Sequence, residues 1–401
     1  MEKQNKKIFG TLFFALFNAV LGVGIVIPLL PVYAHSLGAS GFYISMIFGS
    51  FSLSRTILLP YFGRLADKKG RKPLITAGLF SFAVVSIGFL YSTSVFSLIF
   101  IRFLQGIGSA MIMPATLAYV GDITPDGKEG TYMGLFNMSM FISLSIGPLI
   151  GGYINEYFSL QATFICMGVL AMSGFLIAAV FLPPTRQEQC LVKPKPPSDW
   201  RVISKNRAVT GIFTYRLTHT VAIAAIWCFI PVFAEAEFKL SSAAIGILVT
   251  ATVLTSGILN TPMGILADHI DKRLMILVGA VMSASALLCL NWTQGFWSLL
   301  IAVVAFGLGG GLVMPAIGAI AVIEGNREKA LGLVMATLNL AQSLGMLFGS
   351  IIAGLAMDYI GVRYSFIFAG LIVIVGLLVS MLLLRGMPSR IAGVQSLSPN
   401  N

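Results

Sequence analysis

The residues that could do chemistry in this chain are few, and most stand where charge is expensive. Arg55, Arg102, Arg216 and His219 lie inside stretches that are otherwise apolar. An arginine at the centre of a membrane helix costs about 2.5–3.5 kcal/mol on insertion scales, so each needs a partner or a wet chamber. Arg55 can also snorkel toward a nearby helix end. His219 is the one such side chain that titrates near neutrality; it sits one turn from Arg216 on the same helical face, suited to proton handling or to a helix–helix hydrogen bond. A second group is the dense run Gly63-Arg64-Leu65-Ala66-Asp67-Lys68-Lys69-Gly70-Arg71-Lys72-Pro73. Its glycines permit a tight turn between helices, its carboxylate can face a helix N-terminus or an arginine, and its cations match anionic headgroups. Scattered histidines without H-E-x-x-H, and cysteines without C-x-x-C, supply neither a nucleophile cluster nor a metal cage. A membrane-embedded enzyme is thereby disfavoured, and no metal or cofactor is expected.

The elements that must position these groups follow from composition. Of 401 residues, 57% are hydrophobic and only 10% charged, against roughly 25% charged in a soluble domain. A soluble globular protein, a disordered chain and a disulfide scaffold are all excluded. The two-residue alternation of a transmembrane barrel is missing, so the chain reads as an all-α membrane protein. Apolar runs with polar punctuation give twelve spans: 8–34, 41–63, 74–91, 95–121, 131–155, 161–182, 208–234, 243–265, 274–292, 295–322, 330–357 and 363–385. The formal charge of +11 reports topology and not a nucleic-acid partner. With the N-terminus in the cytoplasm, 21 of the 26 basic residues fall on that side, Lys239 and Arg363 fall outside, and three lie within spans. Both termini are therefore expected in the cytoplasm, in a multi-pass cell-membrane protein whose first span is retained.

The proline- and cation-rich segment 183–207 reads as a linker between an N-terminal bundle (1–182) and a C-terminal bundle with a short tail (208–401). The halves repeat. Gly63-x-Leu65-Ala66-Asp67 recurs as Gly264-x-Leu266-Ala267-Asp268, and Gly106-x-Gly108 with Pro114 recurs as Gly307-x-Gly309 with Pro315, both shifted by 201; Gly134, Gly147 and Gly151 recur as Gly332, Gly345 and Gly349, shifted by 198. Six spans per copy make the repeats parallel, a geometry that supports alternating access to a site between them.

The run from Gly63 to Lys72 resembles the G-x-L-A-D-x-x-G-R-K hallmark of the major facilitator superfamily. Leu98-x-x-x-Arg102-x-x-Gln105-Gly106-x-Gly108 resembles a further motif of its twelve-span drug:proton antiporters. Gly134, Ser143, Gly147-Pro148 and Gly151-Gly152 resemble their G-x8-G-x3-G-P-x2-G-G motif, with Ser143 in place of one glycine. Asp122-Ile123-Thr124 looks most like tetracycline-type exporters. The resemblance implies two pseudo-symmetric six-helix bundles and a gating relay of Gly63, Asp67, Gly70, Arg71 and Asp122. In that relay Asp67 faces the start of the eleventh span, and the C-terminal counterpart around Asp268, Asp271, Lys272, Arg273 and Glu324 is weaker. It also implies proton coupling through Arg102, Asp122 or His219. Exporters of this group place an acid in the first span, where this chain has Asn18; its carboxylates Asp122, Glu156, Glu235, Glu324 and Asp358 all lie near span ends.

Phe17, Asn18, Arg55, Asn137, Phe141, Arg216, Asn339 and Gln342 are the candidate chamber residues, mixing aromatic walls with a few polar points. The expected function is export of small lipophilic molecules, driven by protons, by a monomer in contact with membrane lipid. An exporter of an endogenous anionic metabolite, such as a siderophore or glycolipid intermediate, is the alternative, favoured by the three arginines.

Overall fold

The computed structural model describes residues 2–125, 129–184, 205–328 and 330–385. Most of the expected linker, and the tail from 386, lie outside the described residues. Among the described residues there are thirteen α-helices: α1 (Glu2–Val26), α2 (Leu29–Ser36), α3 (Gly41–Lys69), α4 (Arg71–Leu90), α5 (Val95–Ile123), α6 (Glu129–Tyr157), α7 (Leu160–Phe181), α8 (Arg207–Phe238), α9 (Ser242–His269), α10 (Lys272–Cys289), α11 (Phe296–Arg327), α12 (Leu331–Tyr359) and α13 (Val362–Leu384). Helices α1 and α2 form one span broken at Pro28, which has no amide to donate, so the twelve spans expected from hydropathy are all present.

In hydrocarbon every backbone polar group must be satisfied within the segment, which is why the spans are helical and the links between them short. The same rule carries helices past the apolar runs. The motif Gly63 to Lys69 is the last two turns of α3, and not the loop that its charges suggest. The reversal is made by Gly70 alone, at φ 86, a conformation that disfavours any side chain, and Arg71 already opens α4. Small side chains close several helix starts: Ser94 accepts from the Ser97 amide, Ser159 from Ala162, and Asn206 from Ala208 and Val209.

Two bundles of six spans result. In the first, α5 packs on α3 and α4, and α1 on α6 and α7; in the second, α11 packs on α9 and α10, and α8 on α12 and α13. Repeated glycines set the close approaches. A Cβ at Gly78 would lie 2.9 Å from the carbonyl of Gly108, and one at Gly279, 201 residues on, 2.6 Å from the carbonyl of Gly309. Repeated polar contacts match them: Asn5 Nδ2 donates to the Ile123 carbonyl at 3.0 Å, and Asn206 Nδ2 donates to Glu324 at 2.9 Å, both shifted by 201. The bundles meet along two seams, α3 against α12 and α6 against α9.

Candidate functional site: the seam between the two bundles

Both seams are tight at one end and open at the other. The ends of α3, α9, α11 and α13 that carry Lys68, Lys69, His269, Arg327 and Arg385 define a basic face, and the start of α3 and end of α12 define the far face. Near the far face, a Cβ on Gly354 would collide with Ser45 Oγ and the Gly41 carbonyl. Ser45 Oγ donates to the Ser350 carbonyl at 2.5 Å. One step inward the contact is still close but softer: a Cβ on Gly49 would lie 3.2 Å from Leu347 Cδ1, the end of a side chain that can give by a few tenths of an ångström. The second seam follows the same course. A Cβ on Gly152 would strike the Ser242 carbonyl and one on Gly246 the Pro148 carbonyl, whereas Gly257 stands 3.5 Å from the Phe141 ring. At Gly134, Gly264 and Gly332, toward the basic face, an added Cβ would meet no described atom within 4 Å beyond the backbone of its own helix. The halves thus diverge like a wedge from the far face to the basic face.

Two carboxylates that look, in sequence, like ordinary end charges close the far face. Asp358 at the end of α12 accepts the amides of Gly41 at 2.5 Å and Phe42 at 2.9 Å. Glu156 at the end of α6 accepts the Ala243 amide at 2.8 Å and a hydrogen bond from Ser241. Each acid of one half caps the N-terminus of the second-span helix of the other half, where unpaired amides and the helix dipole favour negative charge. Asn155 Nδ2 adds a bond to Ser242 Oγ at 2.7 Å. Sequence reasoning missed both acids. The available signal was the pair Glu156-Tyr157 and Asp358-Tyr359, shifted by 202, each following a glycine-rich helix.

At the basic face Arg71 is buried and ion-paired with Asp122, and it also donates to the Ala118 carbonyl. This ties α4 to α5 within the first bundle. Asp67 is exposed on the last turns of α3, with no hydrogen bond or ion pair drawn to α12 among the described residues. Gly63 is helical, and a Cβ there would have 3.8 Å to Pro114. The second half departs from the first. Glu324 bonds Asn206 at 2.9 Å and approaches Arg327 at 3.7 Å, Asp271 caps Arg273, and Arg273 reaches the Arg385 carbonyl at 3.4 Å. The expected grouping of Glu324 with Lys272 and Arg273 is therefore not made among the described residues. Asp268 lies in α9, and its side chain is outside the described residues.

The intramembrane charges fall in different places. Arg102 is buried between α3 and α5: it donates to Gln105 Oε1 at 2.7 Å and the Ile47 carbonyl at 3.3 Å, and lies over the Phe48 and Phe51 rings. It pins the second span to the fourth. His219 is buried, and neither ring nitrogen is hydrogen-bonded to a described residue; it stacks between Tyr215 at 5.8 Å and Phe306 at 5.5 Å, so among the described residues it makes no helix–helix hydrogen bond. Asn18 bonds Ser173 Oγ at 3.0 Å, between α1 and α7, and turns inward to its own bundle. Phe17 is half-buried and stacks on Phe13 at 6.4 Å. Gly147 and Gly151 press against Gly24 and Ile25 of α1, so of the glycine motif only Pro148 and Gly152 lie on the seam itself.

Helical wheels identify what faces the open wedge. On α12 the exposed apolar residues Phe348, Ile352, Leu355 and Tyr359 mark the lipid side; Asn339 is exposed on the opposite side, and Gln342 is exposed on the flank between them, turned to Arg216 of α8. On α6, Asn137, Phe141 and Gly134 are exposed on the face that, two turns further, carries Pro148 and Gly152 into the far seam. Arg216 reaches from α8 to Gln342 Oε1 at 2.7 Å and to Met314 Sδ. Asn137, Phe141, Arg216, Asn339 and Gln342 therefore share the mouth between the halves, and Arg55 lies on the side of α3 opposite exposed Leu53, Ile57 and Tyr61.

Comparison with known proteins agrees with this architecture. The family model described as Major Facilitator Superfamily matches residues 12–218 and again 216–398. Multidrug resistance protein 2 of Bacillus subtilis is 26% identical, covering 94% of this chain and 95% of its own. The quinolone resistance protein NorA of Staphylococcus aureus is 26% identical over 88% of this chain and 91% of its own. Among solved structures, a bacterial homolog of the human lysosomal transporter Spinster, in an inward-facing and unoccupied conformation, superposes with a TM-score of 0.79 at 13% identity, covering 95% of this chain and 97% of that one. With its duplicated six-span halves and a family match to each of them, the chain belongs to the Major Facilitator Superfamily and is a membrane transporter, not an enzyme.

Proposed function

We propose that the protein exports small lipophilic molecules by alternating access, exchanging them for protons, as a monomer in the cell membrane. The observation that carries the reading is the wedge between the bundles, sealed at the far face and open at the basic face. Basic residues accumulate on the cytoplasmic side of membrane proteins, so the basic face is assigned to the cytoplasm and the wedge opens inward, placed to load cargo from the cell. The names of the relatives from Bacillus and Staphylococcus support drug-like cargo. In the proposed cycle, cargo enters between Phe141 on one half and Asn339 and Gln342 on the other. The halves then rock, Asp67 of the first half meets the start of α12, and the far-face caps of Glu156 and Asp358 release.

Energy coupling is assigned to Asp122. Its carboxylate neutralises buried Arg71 at the cytoplasmic mouth, and protonating it removes that compensation. Arg102 is spent on packing α3 to α5, and His219 is enclosed by aromatic rings, so neither carries the proton in this reading. The test is uptake of a panel of dyes, antibiotics and metabolites into everted vesicles energised by a proton gradient. Accumulation of lipophilic members that collapses on adding a proton ionophore is the expected result. Accumulation indifferent to the ionophore would remove the proton step, and accumulation of none would remove the export reading.

A further inference from the structure

Arg216 is a guanidinium without a counter-ion among the described residues. Its two described side-chain partners are Gln342 Oε1 at 2.7 Å and the Met314 thioether, a neutral amide and a weak acceptor. No ion pair to it exists among the described residues, and no aspartate or glutamate stands near the middle of any span. The contrast with other arginines is informative. Arg71 has Asp122, and Arg363 has Glu237 at 2.6 Å, whereas Arg102 has two acceptors and two aromatic faces. A cation held in an apolar setting with only a neutral amide and a sulfur is under-compensated, and an anion from outside the chain would complete it. The site is reachable: Gln342 is exposed on the flank of α12 turned to α8, and Asn339, one turn toward the mouth, is exposed on the side opposite the lipid face. Arg55, on the wedge-facing side of α3, likewise has no acid partner among the described residues, and its Nε is buried without a hydrogen bond.

We propose that Arg216 and Gln342 form an anion anchor in the chamber, and that the cargo is an amphiphile carrying one carboxylate, sulfonate or phosphate group beside an apolar body. This rests on the export reading above and names its cargo class. The anion takes the guanidinium edge now turned to Met314 and Gln342, Asn339 and Gln342 donate from their amides, and the apolar body lies along Phe141 and Met314. Arg55 adds positive potential from the opposite half. A permanently cationic drug has no counter-charge here and is disfavoured.

The test uses a matched pair of probes, a dansylated undecanoic acid and its methyl ester, titrated against purified full-length protein. The acid is expected to bind about tenfold to a hundredfold more tightly than the ester, the range of a charge-assisted bond to arginine. Arg216→Gln should abolish that preference by weakening the acid alone, and Arg216→Lys should keep part of it. Gln342→Ala, a change on an exposed surface, narrows the preference several-fold and decides the matter even if Arg216→Gln does not fold. Equal binding of acid and ester by the wild type, a preference that survives in both Arg216→Gln and Gln342→Ala, or binding of neither probe would overturn the anchor. The same probes in everted vesicles separate the two claims. Selective binding of the acid without accumulation removes export and leaves the anchor; equal accumulation of acid and ester removes the anchor and leaves export.

Discussion

Gly354→Leu should give a protein that inserts at normal levels and transports almost nothing. The side chain has nowhere to go while the far face is shut, because the Gly41 carbonyl and Ser45 Oγ already occupy its place. Overpacking of this kind costs about 1–3 kcal/mol. The cost falls on the closed far face alone, since the collision partners belong to α3 and separate from α12 when the halves rock. A bias of that size shifts the two conformations by about 5- to 150-fold, enough to strand the protein facing outward. Vesicle uptake alongside a quantified membrane level measures it, and wild-type transport by Gly354→Leu would show that the α3–α12 seam does not open. Gly332→Leu on the same helix is the control. Beyond the backbone of its own helix no described atom lies within 4 Å of a Cβ there, so it should leave the present conformation undisturbed and penalise the opposite one.

Asp122→Asn should lower stability by about 1–3 kcal/mol, between the values for an exposed and a buried pair, because Arg71 is buried while the Asp122 carboxylate is partly open to solvent. Arg71 is only 5% exposed and stays charged, so the substitution removes a counter-charge from a buried cation and not merely a contact. Thermal unfolding of the purified protein reads this directly. The double variant Arg71→Met with Asp122→Leu should recover most of the stability, because two apolar side chains leave no charge stranded. It should not recover proton-driven uptake. If the double variant transports normally, the pair is packing and Asp122 takes no part in coupling.

How far the fold and the site are legible in the residues depends on which interaction sets them. Hydropathy and the 201-residue repeat suffice for twelve spans in two copies, since lipid leaves the backbone no alternative to helix. The ends are less legible. Charges at Arg64 and Lys68 look like a loop, but water and headgroups at the interface solvate them while the backbone stays helical, so α3 runs on to Lys69. Side-chain direction is legible only in part. Gln342 and Asn137 are on the chamber side as their polarity suggests, yet Asn18, equally polar, is satisfied by Ser173 within its own bundle. Glu156 and Asp358 escape a sequence reading because their partners are backbone amides of another half, which any residue supplies. The repeat of Glu156-Tyr157 as Asp358-Tyr359 marks the two positions as equivalent, but nothing in it names the helices they cap, roughly a hundred and three hundred positions away in the chain.

The central claim is that the two faces open in turn, and paired distance measurements test it most directly. In a background with the four native cysteines replaced, spin labels at Arg64 and Gly332 report the basic face, and labels at Tyr43 and Tyr359 report the far face, all four positions being exposed. Without a proton gradient the basic-face pair should be long and the far-face pair short. Acidifying and adding cargo should populate the reverse, with one distance shortening in the same fraction of molecules in which the other lengthens. Two faces that lengthen together, or a far face that stays shut while transport proceeds, would contradict the account.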